Sequence, residues 1–403
     1  MKKTREKVSV PKSMLLPQEE MLAVKKQGKK IKIGVPSDFS RSEYRIPLTP
    51  QAVELLVSYG HEILIEKDAG KAACYSDEDF SKAGAVVVTS KEETFQCDIV
   101  LRVASFSSED VDALRGNQVI ISGMQVNTCD KEAVRKLMQK KIIAVAFEYL
   151  ENEDGFQPYV HQMSQIAGAT AITIASEYLS NSRKGKGVLF GEVTGVTPAE
   201  LVIIGSGIAA EYAARAALGL GIFVKVFDTS VSDLSKLEEK LGRRVFTSVF
   251  YPKVLKKALV SADAVIGATS INAPSKFKVS EELVQEMKEG AVIIDLNIGQ
   301  GGCFETSKCT DFKKPVYLKH GIVHYCVPNS PAMVARTASI SISNILIPLL
   351  LAIGENGGVE KYIKISRGFR KGVYIYRGIL TKEDIGRMLN IPSKDINLLL
   401  ALF

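Results

Sequence analysis

One short glycine motif constrains this chain more than any other feature: Gly205-Ser206-Gly207-Ile208-Ala209-Ala210. It directly follows an apolar run, Leu201–Ile204, and opens a helical segment reaching Leu220. Twenty-three residues after Gly205, a second apolar run ends in Asp228. A strand, a glycine turn, a helix and then an acid at this spacing make the dinucleotide-binding fingerprint of a Rossmann unit. Gly205 permits the tight turn, and Gly207 lets the backbone approach a pyrophosphate at the helix N-terminus. Ala210 replaces the usual third glycine and is still small enough for helix–strand packing. Asp228 can accept hydrogen bonds from a ribose 2′-hydroxyl but repels a 2′-phosphate. No arginine follows it, so the cofactor expected is NAD rather than NADP. Ligands in open parallel sheets collect at the carboxyl ends of the strands. Ala268 and Leu296, at the ends of two later apolar runs, are therefore further cofactor candidates.

The rest of the chain repeats this grammar. Before the motif, apolar runs at Lys32–Val35, Glu62–Glu66, Ala85–Val88, Asp98–Val103, Gln118–Ser122 and Ile142–Ala146 alternate with helical segments. Helix starts are signalled at Thr49-Pro50, Asp77, Ser107 and Thr128, and Gly60 closes the first helix. A long helix is expected from about Met163 to Tyr178. After the motif come apolar runs at Phe223–Phe227, Arg244–Thr247, Ala264–Gly267, Ala291–Leu296 and Ile322–Cys326. Alternation of this kind predicts an α/β protein with two doubly wound, mostly parallel sheets. A buried helix is expected from about Ser330, followed by a tail rich in glycine and basic residues.

Composition narrows the class. A length of 403 residues suggests two or three domains, and 46% hydrophobic with 24% charged residues is an ordinary globular profile. The six cysteines form no CxxC pair, so reduced thiols in a cytoplasm are the expectation. No metal site is assigned. His320 and His324 have the spacing of a helical metal pair but fall on a strand. The net charge of +7 is concentrated at one end: residues 1–30 hold nine Lys or Arg against three Glu. The remaining body is close to neutral, so no nucleic-acid surface is indicated. The basic start is followed by no apolar core, unlike a signal peptide. The longest apolar stretch, Ile340–Ile353, is too short for a membrane span.

Several motifs together resemble the alanine dehydrogenases and the related soluble nucleotide-binding subunit of transhydrogenase. They are Ile33-Gly34-Val35-Pro36, Glu43-Tyr44-Arg45-Ile46-Pro47-Leu48-Thr49-Pro50 and Gly185-Lys186-Gly187-Val188-Leu189, besides the glycine fingerprint. Late in the chain stand Gln300-Gly301-Gly302-Cys303-Phe304-Glu305-Thr306 and Val323-His324-Tyr325-Cys326-Val327-Pro328-Asn329. The two late blocks look like alanine dehydrogenase rather than transhydrogenase. The resemblance implies a substrate domain made of residues 31–160 plus 337–403, and an NAD-binding Rossmann domain at 161–336, after a basic extension at 1–30. It implies reversible oxidative deamination of L-alanine to pyruvate and ammonia, by a cytoplasmic homo-oligomer, hexamer or dimer. Arg45 would grip the carboxylate of the amino-acid or 2-oxo-acid substrate, Ser164 the cofactor phosphates, and Asn329 would lie beside the nicotinamide.

Three positions depart from the family pattern. Arg102 stands where the family has a lysine, Gln125 where it has a histidine, and Gly299 where it has an aspartate. Arginine keeps a fixed charge and does not titrate near neutral pH. Glutamine hydrogen-bonds but is no general acid or base. Two further readings therefore stay open: a non-catalytic NAD(H)-binding homologue acting as regulator or partner subunit, and a transhydrogenase-type hydride carrier.

Overall fold

The computed structural model describes residues 28–38, 43–124, 130–269 and 277–402. Two sheets organise them. The first contains β1 (Lys32–Val35), β2 (Glu62–Glu66), β3 (Val86–Val88), β4 (Ile99–Leu101), β5 (Val119–Ser122) and β6 (Ile143–Ala146). The second contains β7 (Glu200–Ile204), β8 (Phe223–Asp228), β9 (Phe246–Val249), β10 (Ala264–Gly267), β11 (Val292–Asp295), β12 (Val316–Lys319) and β13 (Ile322–Tyr325). The chain then returns to the first sheet with β14 (Val373–Tyr376) and β15 (Ile379–Leu380).

The spatial orders are β3-β2-β1-β4-β5-β6-β14-β15 and β9-β8-β7-β10-β11-β13-β12. Each sheet therefore reverses its winding once, between β1 and β4 and between β7 and β10. At such a switch point the loops diverge and leave a crevice at the strand ends. Pairing is parallel from β3 through β6 and from β9 through β13, while β14, β15 and β12 run antiparallel at the edges. Strands such as Ile99–Leu101 and Ala264–Gly267 are buried at every residue, because helices cover both faces.

Three expectations from sequence need correction. The strand expected at Arg244–Thr247 starts at Phe246, because the polar Arg243-Arg244 pair stays exposed in the turn after Gly242. Strands β14 and β15 lie within the stretch read as a basic tail. Both are short, Val373–Tyr376 and Ile379–Leu380, and β14 pairs with the distant β6 while β15 folds back antiparallel on β14. The helix expected at Asp77 does begin there, with Ser76 as its N-cap and Asp79 completing a capping box. The helix signalled at Thr128 begins at Lys131 behind Asp130, whose side chain accepts from Glu132 N; Thr128 itself lies outside the described residues.

The apolar Ile340–Ile353 stretch belongs to a longer helix. Among the described residues, Ser330–Glu355 is one helix long and apolar enough to cross a membrane, by length and composition alone. Its apolar face packs instead on the first sheet: Ala338, Ile342, Leu346, Leu350 and Ile353 share a core with Ile33, Val35, Leu48 and Leu56. Two serines on this helix have a further task. Ser339 Oγ accepts from Ile46 N at 2.9 Å, and Ser343 Oγ accepts from Thr49 N at 3.1 Å. A helix from the last quarter of the chain thus holds the loop that carries Arg45.

Candidate active site

The glycine motif adopts the geometry that its sequence implies. Gly205 has φ +112, a conformation that side chains rarely tolerate, and a Cβ there would meet the Ala268 carbonyl oxygen at 2.3 Å. The turn therefore sits at the β7–β10 switch point, against the end of β10. Gly207 is the extended N-cap of the helix Ile208–Gly219, and no side chain caps that helix. Its first-turn amides, from Ile208 and Ala209 onward, are left for an anion. Ala210 is fully buried between helix and sheet. Ser206 Oγ donates to Asp228 Oδ2 at 2.8 Å, and Ser230 N donates to Asp228 Oδ1 at 3.0 Å. Those bonds hold the carboxylate at the mouth of β8. Ala268 and Leu296 flank the same crevice, each bonding to a strand end: Ala268 N to Ile204 O and Leu296 N to Gly267 O. The residues present thus form a cradle that fits a dinucleotide.

A second cluster gathers around Arg45. Arg45 and Glu43 are 6% and 5% exposed. The guanidinium donates through Nε to Glu43 Oε1 at 2.8 Å and through Nη2 to Glu43 Oε2 at 2.7 Å. Its remaining arm, Nη1, reaches Met163 Sδ at 3.3 Å. Asn329 Nδ2, on the loop after β13, donates to Glu43 Oε2 at 2.8 Å. One carboxylate thereby ties the first sheet's Arg45 loop to the second sheet's Asn329 loop. Burial opposes the charge on Glu43, yet Arg45 and the Asn329 amide hold its carboxyl below the ordinary glutamate value. Burial likewise pushes the neighbouring Tyr159 hydroxyl up to about 12, so it stays protonated while its oxygen accepts from Arg45.

The helix Pro158–Leu179 links the two clusters. Met163 touches Arg45, while a Cβ on Gly168 would meet the Ala209 carbonyl oxygen at 2.1 Å. The helix therefore lies directly on the fingerprint helix. Ser164 is one turn before Gly168 and shares its face.

Arg102 is placed differently from these groups. It is fully buried at the end of β4. One arm of its guanidinium binds Asp38 and the other binds Asp110 at 2.8 Å, with the Phe106 ring 4.8 Å away. Asp110 also takes Lys91 Nζ at 2.7 Å and serves in the capping box of Ser107. Burial raises the pKa of Asp110, but Arg102 and Lys91 outweigh it and hold it far below the ordinary range. The charges in this cluster balance, and no polar arm of Arg102 reaches Arg45. Among the described residues, Arg102 Nε is buried without a hydrogen-bond partner.

Gly299 is exposed just after β11, and a Cβ there would meet only Pro328 Cβ, at 3.8 Å. Gln125 lies outside the described residues, as does Cys129. His324 is buried: Nδ1 donates to Ile322 O at 3.1 Å, so the neutral ring's Nε2 accepts from Thr306 Oγ1 at 2.8 Å. His320 instead pairs with Glu281 at 2.6 Å, so the two histidines do not converge. His161 bonds Gln165 at 2.9 Å.

Sequence reasoning assigned no role to Glu43, although it quoted the residue within the Glu-Tyr-Arg motif. The signal available was an acid two residues before Arg45.

Residues 34–167 match the family model of the alanine dehydrogenase/PNT N-terminal domain, and residues 171–383 that of the C-terminal domain. An alanine dehydrogenase of Staphylococcus saprophyticus is 33% identical over 366 residues, which are 90% of this chain and 98% of the relative. Alanine dehydrogenase 2 of Staphylococcus aureus is 32% identical over 368 residues, covering 91% and 98%. A solved L-alanine dehydrogenase superposes with a TM-score of 0.82 at 32% identity, covering 89% of this chain and 99% of that one. A transhydrogenase structure from Sinorhizobium meliloti, 21% identical with a TM-score of 0.71 and covering 87% and 99%, shares the fold.

Proposed function

The chain belongs to the alanine dehydrogenase/PNT family of dehydrogenases, and from that premise we propose that it is an NAD-dependent amino-acid dehydrogenase interconverting L-alanine with pyruvate and ammonia. The observation that carries this reading is the pairing of two sites across one helix. Pro158–Leu179 touches the Arg45 cluster with Met163 and the dinucleotide cradle with Gly168.

The cofactor would supply hydride acceptance and donation. The chain's own residues bind and orient. Gly205, Ser206 and Gly207 with the first-turn amides of Ile208 and Ala209 receive the pyrophosphate, Ser164 adds a hydroxyl on the same side, and Asp228 takes the ribose. Asn329 fixes the loop beside the nicotinamide, and Ala268 and Leu296 close the crevice. Arg45 presents a guanidinium whose orientation Glu43 fixes, and a carboxylate approaches its Nη1 side, beside Tyr159. With no carboxylate at Gly299 and an amide at Gln125, the chain lacks two proton-handling groups. General acid–base catalysis is worth roughly 10²–10⁴-fold, so turnover is expected to be slow.

A second reading is favoured by one observation: the Arg102 guanidinium is already neutralised by Asp38 and Asp110. In that reading the chain binds NAD(H) without catalysis and acts as a regulator or partner subunit. A cytoplasmic homo-oligomer acting on a small amino acid or 2-oxo acid, without nucleic acid or membrane, completes the proposal.

The test is NADH oxidation with pyruvate and excess ammonium, beside NADH and NADPH titrations by fluorescence. Turnover with NADH preferred over NADPH supports the dehydrogenase. Tight NADH binding without turnover for any small 2-oxo acid moves the assignment to the non-catalytic reading. The double variant Gly299→Asp, Gln125→His should raise the rate about 100-fold, because the space beside Gly299 admits a side chain. No gain would mean that the native chain handles protons by another route.

A further inference from the structure

The C-terminal basic segment has no part in either site above, yet it folds around a cavity of about 630 Å³. Its walls come from the helix Arg367–Gly372, the residues following β15, and the Ser393–Asn397 segment that leads into the last helix, with Glu151 beside them. This volume lies within the range of small-molecule sites. None of its lining residues belongs to the Arg45 cluster or to the dinucleotide cradle.

The charges around it are unequal in one respect. Each acid on the wall is already engaged. Glu151 takes Lys371 Nζ at 2.7 Å, and Glu383 faces Arg387 at 3.4 Å. Asp395 Oδ1 accepts from Asn397 N at 2.7 Å and from Asn397 Nδ2 at 2.9 Å. The cations are not so matched. Among the described residues Arg367, Lys382 and Lys394 have no carboxylate within ion-pair distance. Lys382 is half-buried, with its ammonium 4.6 Å above the Tyr149 ring. Burial holds its pKa below the ordinary lysine value. An ammonium in that setting gains from an anion brought into contact with it.

We propose that this cavity binds a small phosphate-bearing anion through Arg367, Lys382 and Lys394. Three unpaired cations from three elements suit a ligand with two or more negative charges better than a lone carboxylate. Arginine adds a planar fork that matches phosphate oxygens, and lysine adds point charges. The family match ends at residue 383, so Lys394 and Asp395 are contributed by a segment outside it. The site therefore stands apart from the dehydrogenase reading and does not depend on it.

The experiment is isothermal titration of the full chain with inorganic pyrophosphate in the presence of saturating NADH, which occupies the other phosphate cradle. Inorganic phosphate and ADP, titrated in parallel, distinguish a free phosphate site from one that also accepts a nucleoside. Saturable binding is expected. It should weaken at least tenfold in Arg367→Gln, Lys394→Gln, two exposed positions at which folding is undisturbed. The charge-matched control Lys253→Gln, Lys257→Gln should leave it unchanged. If the wild type takes up none of the three probes, the proposal is overturned. It is equally overturned if the control weakens binding as much as the cavity variant does. Failure of NADH to bind would count against the dehydrogenase reading alone, since the comparison of the two double variants still reads out the cavity.

Discussion

Glu43 shows how one residue is given a role by its neighbours. Its carboxylate accepts three side-chain bonds, two from Arg45 and one from Asn329. All its donors are N–H groups, so an isosteric amide would turn one NH2 toward another donor. Glu43→Gln would also leave the buried Arg45 charge uncompensated. Breaking a buried pair in this way costs on the order of 3 kcal/mol, to be read as a shift in the urea midpoint at pH 7. A loss below about 1 kcal/mol would mean that the pair is solvated rather than buried. The same variant frees the Asn329 loop, so KM for pyruvate should rise by a larger factor than kcat falls.

At the scale of elements, the helix Pro158–Leu179 spans the Arg45 cluster and the glycine-motif helix, the proposed substrate and cofactor sites. Its close approach to the fingerprint helix rests on Gly168, where a Cβ would lie 2.1 Å from a backbone oxygen. Backbone cannot swing aside as a side chain can. Gly168→Ala must therefore push the helices apart, at roughly 1–3 kcal/mol for overpacking. NADH affinity should fall with stability, because the displaced helix carries Ser164 and bears on the turn at Gly207. Thermal melting and an NADH titration of the same sample check both. A variant with unchanged melting and unchanged affinity would mean that the two helices slide freely. The Ala335–Glu355 helix makes a parallel case: Ser339 and Ser343 stand in an apolar face because their hydroxyls bind the Arg45 loop.

For the whole molecule, acid stability follows from which groups are held in one charge state. His61 and His324 are buried neutral, and desolvation lowers both pKa values. His61 Nδ1 accepts from Ile31 N at 3.3 Å, so protonation there would break a bond. A lowered histidine pKa means that the unfolded chain takes up these protons first. Stability is therefore full above about pH 6.5 and declines as pH falls below it. Asp110 and Glu43 are also lowered, and their contribution is lost only as pH falls below about 4. Two successive declines should appear in urea midpoints measured from pH 8 to pH 3. His324→Gln should reduce the first and leave the second. A midpoint that is flat between pH 7 and pH 5 would contradict this.

Sequence alone determined the two α/β halves and the strand, turn and helix of the glycine motif. Those signals are local: an apolar run, a glycine turn, a cap and an acid at fixed spacing, each dictated by residues close in the chain. Arg45 was legible through its motif, and the small residue at Gly168 was visible without its reason. Only the tertiary structure decided that β14 joins β6 and brings β15 with it, since β14 takes its identity from a partner more than 200 residues away. It also decided that Arg102 faces Asp38 and Asp110, and that Glu43 bridges Arg45 to Asn329 across 286 residues of chain. Charge pairing in a buried site depends on distance in space, and spacing along the chain carries no record of it.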